Sequence, residues 1–158
     1  MLVQIGVPKR DAFLQHFIED LSDRRVEPLG AVQDDVDPIE FVNFEAFLAR
    51  LLAVDISTDF MGFAEEPMIW AFKDDHSGQD QRLRDAYVLA AAQWILTSAS
   101  ALLALCQEGK RYLTVAKWME WQEGFRKVAD DEQHSQECRK IAGQVADMMA
   151  LEEKVVKG

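Results

Sequence analysis

Apolar residues recur along this chain at intervals of three and four, the spacing of one helical face, through most of its length. Over residues 11–21 the set is Phe13, Leu14, Phe17, Ile18 and Leu21, which predicts a first amphipathic helix. Residues 24–37 mix charges with Pro28, Gly30 and the acids Asp34, Asp35 and Asp37, so they, like residues 1–10, are expected to be loop or extended. Pro38 suits a first helical position and Asp37 the N-cap before it. Residues 39–54 then carry Phe41, Phe44, Phe47, Leu48, Leu51 and Leu52 with few polar interruptions, which predicts a largely buried helix. Residues 55–66 read as a short helix or an irregular turn. Pro67 starts a short helix through Phe72, and residues 73–80 have turn composition.

The longest pattern covers residues 81–107 and ends at Gly109, where a left-handed cap is easiest. Residues 112–131 place Val115, Trp118, Trp121, Phe125 and Val128 on one face. Ser135 is positioned to cap a last helix whose inward stripe is Cys138, Ile141, Val145, Met148 and Met149. No strand-like alternation of useful length occurs. The expectation is an all-α single domain over residues 1–158, a bundle of five to six helices around the apolar helix at 81–107.

Composition narrows the function classes. A chain of 158 residues suits one domain, and 49% hydrophobic residues with eight Gly and four Pro exclude disordered and collagen-like classes. The net charge of −11 opposes nucleic acid and anionic membrane surfaces as partners. Two cysteines, Cys106 and Cys138, do not make an extracellular disulfide framework, and the apolar first residues break at Pro8 without a basic leader; a cytoplasmic protein is expected. Residues 86–106 contain no charge and are long enough to cross a bilayer. Gln93, Thr97, Ser98, Ser100 and several alanines lower their hydrophobicity, and the flanking stripes need something to bury against, so a bundle core is expected instead of a membrane span.

Four blocks in order carry a resemblance. They are the run Phe41-Val42-Asn43-Phe44-Glu45-Ala46-Phe47-Leu48-Ala49-Arg50-Leu51; Ala90-Ala91-Ala92-Gln93-Trp94-Ile95; Trp118-x-x-Trp121-x-x-x-Phe125 followed by Ala129-Asp130-Asp131-Glu132; and Cys138-Arg139-x-x-Ala142 with Met148. Over about residues 40–153 the chain resembles a family of fungal proteins catalogued as domain of unknown function 3632. The resemblance implies a fungal, cytosolic, all-helical protein whose first forty residues are abbreviated relative to other members. It transfers no catalytic residue. Small helical proteins of this kind occur as accessory proteins in natural-product pathways, which favours an enzyme.

Chemistry is otherwise read mostly by elimination. A di-iron bundle site needs two Glu-x-x-His-type pairs and two further carboxylates, whereas Asp131-x-x-His134 supplies that spacing once, in a run (130–134) that reads as a solvated turn. No metal and no cofactor are therefore expected. Cys106 and Cys138 read as small apolar fillers with unperturbed thiols. No Gly-x-Ser-x-Gly elbow and no phosphate-cradling glycine loop occur, and His16 has Glu19 and Asp20 beside it but no triad.

What remains is aromatic and apolar material with a few enclosed polar groups. Aromatic stripes at helical spacing are usually core; they equally suit the walls of a small apolar pocket. The polar residues on buried-looking helices are Asn43, Arg50, Tyr87, Gln93, Thr97 and Ser98, and an enclosed Arg50 needs a counter-charge such as Glu45 or Asp85. One reading is a cofactor-independent cyclase or isomerase of Diels–Alder type acting on a hydrophobic natural-product intermediate. Its catalytic groups would be Arg50, Tyr87, Gln93 and Thr97, and its substrate walls Asn43, Phe47, Trp94, Trp118 and Trp121. The other is a non-enzymatic ligand-binding or protein-interaction module using an exposed face around Trp118 and Trp121, with a homodimer compatible. An apolar small molecule is the expected partner of the first.

Overall fold

A computed structural model describes residues 16, 19–20, 37–53, 62–109 and 112–157. Five helices follow one another, α1 (Pro38–Ala53), α2 (Gly62–Phe72), α3 (Gln81–Glu108), α4 (Val115–Ala129) and α5 (Gln136–Lys157), with no strand among the described residues. The expected first helix and the loops before residue 37 lie outside the described residues, except that His16, Glu19 and Asp20 are helical and His16 approaches Glu19 at 3.7 Å.

The helix ends follow from side chains that satisfy orphan backbone groups. Asp37 accepts from the Ile39 N–H at 3.1 Å ahead of Pro38, as its N-cap position implied. Asp80 accepts from Leu83 at 2.8 Å and opens α3, and Gly109 closes it in the left-handed conformation at φ 64 and ψ 33. Thr114 caps α4 and Ser135 caps α5, accepting from Lys117 at 3.2 Å and Cys138 at 3.1 Å.

One boundary differs from the expectation. Pro67 does not start α2 but sits inside it, five residues after Gly62. Phe63, Ala64, Pro67 and Met68 share one buried face, so the apolar burial of the first turn outweighs the single backbone bond that Pro67 cannot make.

Helix α3 is the hub, contacting α1, α2, α4 and α5. It is long and apolar enough to cross a bilayer, yet its alanine-rich surface is where the other helices approach closely: Ala90, Ala91 and Ala92 are all fully buried. It bends at Ser98, whose backbone leaves helical geometry and whose hydroxyl donates to the Ala49 carbonyl of α1 at 3.0 Å. The main core gathers Leu48, Met68, Trp94, Trp118, Phe125 and Met149 from all five helices. A smaller cluster of Phe41, Val42, Ala86, Tyr87 and Ala90 packs Trp70 against the start of α3.

Candidate functional site

The most concentrated chemistry lies where the first turns of α3 hold the connection between α4 and α5. That connection is a sequence of short backbone turns. Asp131 N–H bonds the Val128 carbonyl at 3.1 Å, the Asp131 carboxylate accepts from Gln133 N–H at 2.9 Å, and His134 N–H bonds the Asp131 carbonyl at 3.1 Å. Three residues of α3 grip it: Gln81 donates to the Gln133 carbonyl at 3.2 Å, Arg84 to the Gln133 side chain at 2.8 Å, and Asp85 reaches His134 and Ser135. These are consecutive contacts on one helical face, so the Asp80 cap that fixes where α3 begins also fixes where the turn docks.

Asp85 is only 8% exposed. Its Oδ1 lies 2.9 Å from His134 Nδ1, and both carboxylate oxygens accept from the Ser135 N–H at 3.3 Å. A carboxylate only accepts, so His134 carries a hydrogen on Nδ1, and in the neutral ring Nε2 is the nitrogen with the lone pair. Nε2 stands 4.0 Å from Asp131 Oδ2. One turn further on, Cys138 Sγ is 3.9 Å from the same Nδ1. A relay would need the thiol and the carboxylate on opposite ring nitrogens, and here they share one. Burial first, then the charge and hydrogen bond of Asp85 and the charge of Glu137, push the Cys138 thiol far above its ordinary value, so it is no activated nucleophile.

Two grooves flank this cluster. The larger, about 760 Å³, runs from the end of α2 along α4 to Asp131 and His134. Its apolar lining includes Phe72, Ala116, Gly124 and Val128, and its exposed charged residues are Lys73, Glu120, Glu123 and Lys127, with Lys73 and Glu120 paired at 3.4 Å. The smaller, about 280 Å³, is lined by Asp85 and Cys138 together with Asp37, Val42, Arg82 and Leu89.

The residues singled out from the sequence are placed differently from this cluster, on α1, α3 and α4. Arg50 and Asn43 are exposed, and Phe47 is 41% exposed, because the buried face of α1 is Phe41, Val42, Glu45, Ala46, Leu48, Ala49 and Leu52. The enclosed charged residue of α1 is therefore Glu45, not Arg50, and Glu45 accepts from Trp94 Nε1 at 2.8 Å. Asp85 serves His134 instead of Arg50. Tyr87 is buried with its ring 4.2 Å from that of His76, while Gln93 and Thr97 are half-buried. Trp118 and Trp121 are buried, Trp118 donating to Glu153 at 2.9 Å, so neither forms an exposed face. Trp121 borders a hollow of about 110 Å³.

Two further expectations are corrected. The run at 130–134 is not wholly solvated, since the His134 side chain is 10% exposed. The thiols are not unperturbed, since burial also pushes Cys106 up to about 11. The Asp131-x-x-His134 spacing was the one legible trace of the site; nothing local joined it to Asp85.

A family model described as "Protein of unknown function (DUF3632)" matches residues 12–125, and the chain belongs to that family. The match includes Asp85 and ends before His134 and Cys138. Comparison with curated proteins and with solved structures gave no match.

Proposed function

We propose that this member of the DUF3632 family is a cofactor-independent enzyme that moves a proton on an apolar small molecule, an isomerase or cyclase, binding its substrate in the 760 Å³ groove. The observation behind it is the 2.9 Å pair of Asp85 and His134, in which the carboxylate is largely buried and the imidazole borders the groove. Asp85 holds the Nδ1–H tautomer, so Nε2 is the proton acceptor, and the carboxylate stabilises the imidazolium that forms. Nε2 takes a proton from a carbon next to a carbonyl and returns it at another position, so the substrate is isomerised with no net change in atoms or electrons. Lys73 and Lys127 of the groove offer positive charge to the oxygen on which the enolate develops. The groove volume falls within the roughly 300–1,000 Å³ of small-molecule sites, and its apolar lining suits a hydrocarbon skeleton. This reading moves the reacting groups from Arg50, Tyr87, Gln93 and Thr97 to the turn before α5.

Deuterium incorporation from heavy water into a panel of β,γ-unsaturated ketones of decalin and steroid size, followed by NMR, tests it. Wild-type protein exchanges and isomerises at least one probe above background, and His134→Gln does not. Equal rates for wild type, His134→Gln and buffer sink the reading.

A specific observation supports a second reading, the interaction module. Tyr112, Val115 and Met119 on the approach to and first turns of α4 are exposed, as are Leu151 and Val155 near the end of α5, where Trp118 ties the two helices together. These residues, not Trp118 and Trp121, would meet a second copy of the chain. Light scattering over a dilution series tests this: a dimer that Met119→Asp splits supports it, and a monomer at every concentration sinks it.

A further inference from the structure

We propose that Asp85, His134 and Cys138 form a binding site for a transition-metal dication, zinc by the chemistry of its donors. A carboxylate oxygen, an imidazole nitrogen and a thiol sulfur all lie within 4.8 Å of one another. Mixed oxygen, nitrogen and sulfur ligands select a borderline-soft ion over calcium or magnesium. This is not a surface gathering of acids: Asp85 and Cys138 are both buried and the His134 side chain nearly so.

The two distances to the imidazole are close to those of a filled site. Bonds of roughly 2.0–2.3 Å in a tetrahedral arrangement put neighbouring ligand atoms about 3.3–3.6 Å apart. The Nδ1–Oδ1 distance of 2.9 Å must open by about half an ångström and the Nδ1–Sγ distance of 3.9 Å must close by a few tenths, which side-chain torsions supply. The ligands are anchored on the second turn of α3, on the turn, and on the first turn of α5, so the backbone is already in place.

The surroundings are those that orient metal ligands. The Ser135 N–H holds both oxygens of Asp85, and Asp131 Oδ2 stands 4.0 Å from Nε2, ready to accept its hydrogen once Nδ1 is metal-bound. Three protein ligands leave a fourth position for a water, and two of the three, Asp85 and Cys138, line the smaller groove. On binding, Cys138 loses its thiol proton to solvent as the sulfur–metal bond forms. The imidazole hydrogen moves from Nδ1 to Nε2, so one proton is released per ion. The metal-loaded form therefore has no lone pair on Nε2 and would be the inactive form of the proton-transfer enzyme. The metal site itself does not depend on that activity.

The test is an anaerobic titration of the full chain, first stripped with a chelator, with cobalt(II) chloride. The expected result for wild type and for Cys106→Ser is a near-ultraviolet thiolate-to-cobalt charge-transfer band with the visible bands of a four-coordinate ion. Both saturate at one equivalent and are bleached by zinc. Cys138→Ser, with unchanged helical circular dichroism, shows no charge-transfer band. Absence of that band in wild type, or its persistence in Cys138→Ser, overturns the proposal. His134→Gln alters a turn residue outside the helices and carries the test should Cys138→Ser not fold: a tenfold or greater loss of cobalt affinity supports the site, and unchanged affinity overturns it. The readout needs no substrate, so it stands apart from any result with the ketone panel.

Discussion

Asp85 and His134 are 49 residues apart in the chain and 2.9 Å apart in space, and the carboxylate that orients the imidazole also accepts from the next backbone N–H, that of Ser135. One side chain of α3 thus fixes both the ring and the start of α5. Asp85→Ala leaves Nδ1–H and the Ser135 N–H without an acceptor and is expected to cost about 2–4 kcal/mol, whereas Asp85→Asn keeps an acceptor and costs less than half of that. Urea unfolding followed by circular dichroism measures both. Equal losses for the two variants would show that the hydrogen bonds are not what the carboxylate contributes.

Glu45 and Trp94 make the corresponding pair inside the bundle, a carboxylate oxygen 2.8 Å from an indole N–H, both residues fully buried. Glu45→Gln retains an acceptor of the same shape and is expected to lose no more than about 1–2 kcal/mol. Glu45→Ala orphans the indole and opens a cavity, for a loss of about 3–4 kcal/mol. The ordering of the two variants in thermal unfolding is the check.

Gly124 lies where α4 meets Phe72. A Cβ there would stand 2.7 Å from Phe72 Cγ and Cδ1, and that ring cannot simply retreat because it packs edge-on against Phe125 with centroids 4.8 Å apart. Alanine gains about 1 kcal/mol of helix propensity and meets an overpacking cost of about 1–3 kcal/mol, so Gly124→Ala is expected to be destabilising on balance. Combining it with Phe72→Leu should return part of the loss, and a double-mutant cycle that comes out additive would contradict this contact.

Arg50 is expected to be nearly silent. It is exposed at the end of α1, and Arg50→Ala should change stability by less than about 0.5 kcal/mol. A loss comparable with that of Glu45→Ala, measured in the same urea series, would contradict the placement.

The two buried thiols link stability to alkaline pH. Cys106 ionises near 11 in the folded chain against an ordinary 9.0, and Cys138 is shifted in the same direction. Below pH 9 neither state is ionised and the fold is fully stable with respect to these groups. Above it the unfolded chain releases its thiol protons while the folded chain keeps them. Stability is therefore expected to fall at about 1.4 kcal/mol per pH unit per thiol until the folded thiols ionise. Cys106→Ala should remove part of that slope. At neutral pH a thiol-reactive dye should label neither cysteine quickly in the native protein and both in denaturant.

The helices were legible because their signals are local. Asp37 before Pro38, Gly109 after the long apolar run and Ser135 three residues before Cys138 each act within one turn of the chain. Pro67 misled, because burial of Phe63 and Ala64 against α3 is a tertiary gain that the chain does not display. Arg50 and Glu45 misled for a related reason. Both interrupt an apolar helix, and which of them faces inward depends on how α1 is turned about its own axis against α3, a rotation held by contacts such as Ser98 to Ala49.

The sequence by itself determined that the chain is helical, where most helices begin and end, that the segment at about 81–107 is the central apolar helix, and that the chain resembles the DUF3632 family. These follow from periodicity, caps and composition, which act over a few residues. Only the tertiary structure decided which polar groups are enclosed and which of them meet. Asp85, His134 and Cys138 have ordinary neighbours in sequence, and their chemistry arises because the start of α3 is pressed against the turn before α5. A buried polar group must find its partner wherever the packing places one, and packing is a property of the whole chain.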